Sequence, residues 1–567
     1  MTKLSLILGL TVFLAAGIIL GTAAVSASAG AAAASSRAAA TTAASPAAPM
    51  IPTPKTYFFT WYDSKPADSM NGDWIVVGNL EDYAASVLVY FGDETTPRES
   101  FTLGAKGRQT VAWDNTMGGP VKVISTSGAA LAVTQRVIYR DSFNEVAAIE
   151  QSNLDTSYNF TWYDSLLANG MMGNWLLIAN EDISAAQVDV FIGAGRKYTY
   201  TLAPGQSITP SYPGVMDGPV RVVSNGPKII ASQRVLYKGS FNEVMGFPSS
   251  RLDSIYFFTW YDMTGDMHGN WVLIANNNDT TVHAQVYIGD DPRPRGTYAI
   301  TPHQSATPTY PGTMDGPVRV VCTDCAAGQN IMVSQRVLYK NSFEEVQGTP
   351  PAGLDNRMYF GWYDFTPVDG VAGDWLLIAN QAAGDAAVDV YIGDSLESKA
   401  TYTIGERGRE TPEYLGVRGG PVRVESRDGK PLLASQRVIY KDSFNELLGL
   451  TRKDTGQPLP EAPQLRLYRL NTYWASAADY EARKLSVSMR IADNGAGTAY
   501  GTTVTGLTAT NGVRALTTVP LSLGDLPGNG GYKNFTVQYS IPPDVTTFST
   551  GIDVQCEDSS GARCSYP

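Results

Sequence analysis

Apolar and polar residues alternate with a period of two along short stretches of this chain, and the stretches themselves recur. Val188, Val190 and Ile192 alternate with Asp189 and Phe191 before Gly193, and Val220 and Val222 flank Arg221 just after Gly218-Pro219. A period of two places one set of side chains in a core and the other outside, which predicts half-buried strands. Around them lie an aromatic run from Tyr158 to Asp164, an apolar run from Trp175 to Ala179 closed by Asn180, and further strand-like runs at Tyr198 to Leu202 and Ile229 to Tyr237. Pro204-Gly205 and Pro213-Gly214 mark turns between them. Pro219 fits the first position of its strand, where a missing N–H is tolerated. Roughly six or seven short strands with no helical periodicity describe a small antiparallel β-sandwich.

That unit is repeated. Trp-Tyr-Asp returns at Trp61, Trp162, Trp260 and Trp362, a spacing of about a hundred residues. Each copy continues through Asn-Trp or Asp-Trp (Trp74, Trp175, Trp271, Trp375), a Gly-Pro-Val stretch, Gln-Arg-Val-Ile/Leu-Tyr, and Ser-Phe-Asn/Glu-Glu. A fixed period of this length is too long for a solenoid repeat or a single propeller blade and suits an independently folded β domain. The predicted fold class is therefore all-β: a tandem array of four homologous sandwiches at 55–150, 151–250, 251–350 and 351–450. Short joints carrying Leu154-Asp155, Leu252-Asp253 and Leu354-Asp355 predict a stiff string of touching beads. The eight repeated tryptophans, flanked by apolar strand residues, are expected in the sandwich cores.

Residues 451–464, with Gly456, Pro458, Pro460 and Pro463, read as a Pro-rich linker. Residues 465–567 follow a different alternation, Leu485-Val487-Met489-Ile491 and Phe535-Val537-Tyr539-Ile541, around a glycine-rich turn at 493–500. At the other end, residues 4–25 are apolar and lead to Ala27-Ser28-Ala29. That pattern predicts a signal peptide over 1–29, or else an uncleaved membrane anchor, the apolar run being long enough to span a bilayer. Ala, Ser, Thr and Pro dominate 30–54, which predicts a disordered spacer.

The C-terminal alternation and turn resemble the CARDB-like, immunoglobulin-like modules of prokaryotic surface proteins. The four beads resemble the WYD, NWVLIAN, GPVRV, SQRVLY and SFNEV repeats of secreted and wall-associated bacterial proteins, over residues 57–450. The resemblance implies an exported, extracellular or cell-surface location and assigns no ligand.

Chemistry is sparse. A net charge of −12 without a basic cluster argues against nucleic acid as a partner, and no second apolar span exists, so membrane contact is expected only through residues 4–25 if they are retained. The three histidines, His268, His283 and His303, all belong to one bead, and no HExxH, GxSxG, phosphate-loop or dinucleotide motif is present. No enzymatic activity, cofactor or metal site is expected. The four cysteines form two close pairs, Cys322/Cys325 and Cys556/Cys564, which read as local disulfides in an exported chain, with half a zinc site as the alternative for the first.

Two recurring constellations remain. Arg136, Arg234, Arg336 and Arg437 sit on apolar strands and need carboxylate partners if buried. The candidates are Asp63, Asp164, Asp262 and Asp364 from the Trp-Tyr-Asp motifs and the closing Glu145, Glu243, Glu345 and Glu446. The alternative is an exposed Arg-Asp-Glu cluster that grips a ligand. Phe191, Tyr287 and Tyr391 with Arg221, Arg319 and Arg423 form an outward row, the best candidate binding surface; the first bead has Tyr90 and Lys122 there. The predicted function is a structural or adhesive surface protein. The alternative is an array binding carbohydrate or wall polymer by avidity, with surface glycans or other surface proteins as partners in either case.

Overall fold

In the second bead, the aromatic strand Ser157–Phe160 joins a five-stranded antiparallel sheet in the order Arg196–Leu202, Ala186–Ile192, Val220–Ser224, Ser157–Phe160, Phe247–Pro248. A second, four-stranded sheet runs Ser207–Ile208, Met171–Ala179, Ile230–Tyr237, Ser240–Met245. Val188, Val190 and Ile192 from the first face Leu176 and Ile178 from the second across a shared core. The first bead repeats this plan, and the third and fourth do so with a four-stranded first sheet, each bead with its own apolar core. The computed structural model describes residues 53–326, 328–367, 370–458, 462–528, 530–559 and 561–565. The predicted signal peptide at 1–29 and all but the last two residues of the spacer at 30–54 lie outside them. The protein is an all-β tandem of small sandwich domains.

The array is not an open string. The last strands of the four beads, Ser142–Ala147, Ser240–Met245, Ser342–Gln347 and Ser443–Leu448, meet around a common axis. One bond is repeated at each meeting: the backbone N–H of Phe241, Phe343 and Phe444 donates to the hydroxyl of Ser142, Ser240 and Ser342 at 2.9, 3.0 and 3.0 Å. The fourth copy joins the ends, Phe143 N–H donating to Ser443 Oγ at 3.0 Å across 300 residues of chain. The beads therefore close into a pseudo-fourfold ring, with each four-stranded sheet radiating from the axis like a propeller blade.

Closure explains why the Trp175–Ala179 run is apolar without alternation. One face of this blade is the bead's own core and the other packs on the preceding bead, where Ala179 and Ile230 meet Phe58. The eight repeated tryptophans are half-buried and lie outside the bead cores. Trp175 lies along its own strand over Gly173, where an added Cβ would come 1.9 Å from the indole. Trp260 and Trp362 sit at the seams, covered by Arg409 at 4.1 Å and Arg108 at 3.8 Å from the neighbouring bead. The Gly-Pro glycine is needed for the same close packing, since a Cβ on Gly119 would lie 2.4 Å from the Thr60 carbonyl.

Residues 451–457 are not a free linker. Tyr57 donates to the Thr455 carbonyl at 2.7 Å, Asn153 to the Lys453 carbonyl at 3.0 Å, and Arg251 pairs with Asp454 at 2.7 Å. The segment thus plugs one mouth of the ring, above an axial cavity of about 220 Å³. Beyond it, two four-stranded sheets form the C-terminal sandwich, whose Tyr468, Leu470 and Ala492 pack on Ile255, Phe257 and Tyr287 of the third bead. The fully buried Arg490 donates to Asp253 at 2.6 Å, using a joint aspartate as the docking point.

Candidate functional site

The recurring arginines and closing glutamates stand directly opposite one another in the hairpin that ends each bead. Arg136–Glu145, Arg234–Glu243, Arg336–Glu345 and Arg437–Glu446 are ion pairs at 2.5, 2.6, 2.5 and 2.6 Å. The guanidinium Nε and Nη2 both donate to one carboxylate oxygen, as in Arg234 to Glu243 Oε2. The other oxygen faces the seam. Glu243 Oε1 accepts from Ser232 at 2.7 Å and from Thr60 of the preceding bead at 3.1 Å, and Thr161→Glu345 and Thr259→Glu446 repeat the bridge at 3.0 Å.

The closing seam is built differently. Gly361 stands where the other beads have Thr, and Thr134 where they have Ser. A Cβ at Gly361 would lie 3.0 Å from Thr134 Oγ1, which itself donates to Glu145 at 2.6 Å. The two departures compensate in volume.

The Trp-Tyr-Asp aspartates take no part in these pairs. Asp63, Asp164 and Asp262 accept the N–H two residues on, from Lys65, Leu166 and Thr264 at 3.0, 2.8 and 2.9 Å, and so cap turns. Asp364 does the same for Thr366 and also pairs with Arg418 at 3.0 Å. A buried site that sequence reasoning passed over lies nearby, at the residue before each second tryptophan. Asn174 and Asn270 accept from Gln233 and Gln335 at 3.0 and 2.9 Å, and donate to the carbonyls of Asp164 and Asp262, both at 2.9 Å. Asp73 and Asp374 replace them in the first and fourth beads, and burial pushes each carboxyl up to about 8. The signal was the Asn/Asp interchange itself, since both are isosteric in one hydrogen-bonded niche.

These two carboxyls make stability pH-dependent. Their folded pKa lies above the ordinary value of about 3.9, so the native state holds two protons that the unfolded chain has released. The associated stabilisation is complete below about pH 4 and is lost as pH rises to about 8. The double variant Asp73→Asn, Asp374→Asn is expected to flatten this dependence. Its unfolding free energy should match the parent's at pH 4.5 and exceed it at pH 8.5, by more than about 2 kcal/mol per carboxyl. Parallel pH profiles of the two proteins would show that these carboxyls ionise freely.

The outward row exists as cross-strand pairs, Phe191 opposite Arg221, Tyr287 opposite Arg319 and Tyr391 opposite Arg423. Each guanidinium lies over its ring, at 4.6, 4.3 and 4.1 Å, as Lys122 lies over Tyr90 at 5.3 Å. The structure separates these pairs into different settings. In the second and fourth beads the aromatic ring is half-buried on the sheet face. In the third bead the C-terminal domain covers it, leaving Tyr287 only 6% exposed and Arg319 donating to the Arg469 carbonyl at 2.6 Å. A cleft of about 480 Å³ remains between this pair, the fourth bead and the C-terminal domain. Its size and position between domains are those of a ligand site.

Cys322–Cys325 and Cys556–Cys564 are both disulfides. Among the described residues no His/Cys/Asp/Glu cluster is able to hold a metal, and no helix is long and apolar enough to cross a membrane.

No known family model matches the chain, and no curated protein is similar to it in sequence. Among solved structures, Escherichia coli alpha-2-macroglobulin activated by porcine elastase is similar at 10% identity over 90% of this chain and 52% of its own, with a TM-score of 0.17. A Salmonella alpha-2-macroglobulin mutant is similar at 10% identity over 90% of this chain and 39% of its own, with a TM-score of 0.16. A tetra-tandem repeat from the extending region of a large adhesion protein is similar at 10% identity over 68% and 91%, with a TM-score of 0.08. The chain spans about half the length of the first of these structures, 52%. Scores this low carry no argument about function.

Proposed function

We propose that this chain is an exported, non-enzymatic bacterial surface protein in which a rigid ring of beads serves a structural or adhesive role. One observation carries the reading. The charged residues that recur in every bead are consumed by the architecture: each closing glutamate by its arginine and by hydroxyls, three of the four across a seam, and each Trp-Tyr-Asp aspartate by a turn. Repetition here supports assembly and, among the described residues, leaves none of these arginines, glutamates or aspartates free for chemistry. Two disulfides fit an oxidising compartment, and the apolar N-terminal segment with its Ala-x-Ala site supplies a route of export.

Expression of the full chain in a bacterium, followed by fractionation and N-terminal sequencing, tests this. The protein is expected outside the cytoplasm with all four cysteines oxidised, starting at Gly30 if residues 1–29 are cleaved. A chain retained in the cytoplasm with free thiols would sink the reading. The glycan-binding alternative is favoured by a separate observation, the repeated aromatic–guanidinium pairs. Avidity from four like faces does not follow from it, because the third pair lies beneath the C-terminal domain.

A further inference from the structure

We propose that the cleft between the third bead, the fourth bead and the C-terminal domain binds an acidic saccharide, whose carboxylate is held by Arg319 and Arg407. This goes beyond the scaffold reading and does not depend on it.

The charge arrangement comes first. Arg319 uses one Nη on the Arg469 carbonyl and lies over Tyr287, and among the described residues no carboxylate stands at ion-pair distance from it. Arg319 is half-buried, and a guanidinium partly withdrawn from water with no carboxylate beside it favours a ligand that supplies the missing charge. Arg407 lines the same cleft from the fourth bead, its nearest carboxylate being the adjacent Glu406 at 3.7 Å. Burial, and then the charge of Arg407, lower Arg319 to about 10, so the two cations act on one another. Asp291 at the rim is engaged by Arg293 at 3.1 Å, and the exposed Asp553 stands on the C-terminal wall.

A third donor points the same way. Gln381 lines the cleft, and its Nε2 is buried with no hydrogen-bond partner. Leaving such a donor unmet is costly, and a carboxylate or hydroxyl oxygen would meet it. The remaining walls select the body of the ligand. Met489 and the half-buried Phe548 offer an apolar face, while Thr472 and Thr550 offer hydroxyls. A bare phosphate would leave most of 480 Å³ unfilled, and an alkyl carboxylate would set its chain against hydroxyls and Glu406. A pyranose carrying a carboxylate satisfies both kinds of wall.

Isothermal titration of the full chain with oligogalacturonate tests the proposal. Its methyl ester, inorganic phosphate and hexanoate serve as the comparison ligands. Oligogalacturonate is expected to bind with an affinity that falls as salt rises, the methyl ester at least tenfold more weakly, and phosphate and hexanoate not to compete. Arg407→Gln and Gln381→Leu, which leave the C-terminal docking contacts in place, should each weaken binding, Arg407→Gln by tenfold or more, without lowering the thermal midpoint. Arg319→Gln should do so more strongly. No binding, equal binding of the ester, competition by phosphate or hexanoate alone, or variants that bind like the parent would each overturn it. Export measured by fractionation is independent of every one of these outcomes.

Discussion

Arg234→Met is expected to destabilise the protein by about 3 kcal/mol or more, because it strands a carboxylate that is already out of water. Glu243 is 5% exposed, and among the described residues Arg234 alone forms an ion pair with it. The hydroxyls of Ser232 and Thr60 solvate one oxygen and cannot replace the guanidinium on the other. Since Thr60 belongs to the first bead, the damage should spread to the seam, and both beads should lose amide-exchange protection together. Removing both charges, as Arg234→Met with Glu243→Leu, should recover much of the loss, since a buried pair contributes less than breaking it costs. Chemical denaturation of the three proteins measures the cycle. A single-variant loss under roughly 0.5 kcal/mol, typical of plain surface positions, would place Arg234 outside any buried network.

The closing seam gives the second large effect. Gly361→Thr restores the residue found in the other three beads, yet is expected to cost about 1–3 kcal/mol by overpacking, because its Cβ arrives 3.0 Å from Thr134 Oγ1. Thr134→Ser in the same chain removes the Cγ2 methyl, which would lie 3.6 Å from that Cβ, and so frees the hydroxyl to turn into the Thr–Ser contact seen at the other seams, at 2.6 to 2.8 Å. The pair should therefore be strongly non-additive, with a coupling above about 1 kcal/mol. Strict additivity would mean that the fourth bead does not rest on the first, and that the ring is open.

The strands and the sandwich were legible because alternation, turn residues and repetition all report local geometry. Val188, Val190 and Ile192 must face one way whatever surrounds the bead. The tryptophans misled for the opposite reason: an apolar strand buried on both faces carries the same signal whether the second face meets its own core or a neighbour. Trp175 and its equivalents belong to the second case. The linker reading of 451–457 failed similarly, since Gly and Pro describe a chain that turns and say nothing of what it turns against.

What the sequence by itself determined is the bead, its β class and its four-fold repetition, all properties of residues close together in the chain. The Thr134/Gly361 exchange and the repeated serine of Ser-Phe-Asn/Glu-Glu also record the ring, though only in hindsight. Tertiary structure alone decided that glutamate rather than aspartate pairs with each arginine, because the hairpin register sets Arg234 against Glu243 while turn geometry claims Asp164. It also decided that one of the outward aromatic–arginine pairs lies in a cleft and the others do not. Four copies share one set of motifs, but a single C-terminal domain breaks their equivalence by covering the outward pair of the third.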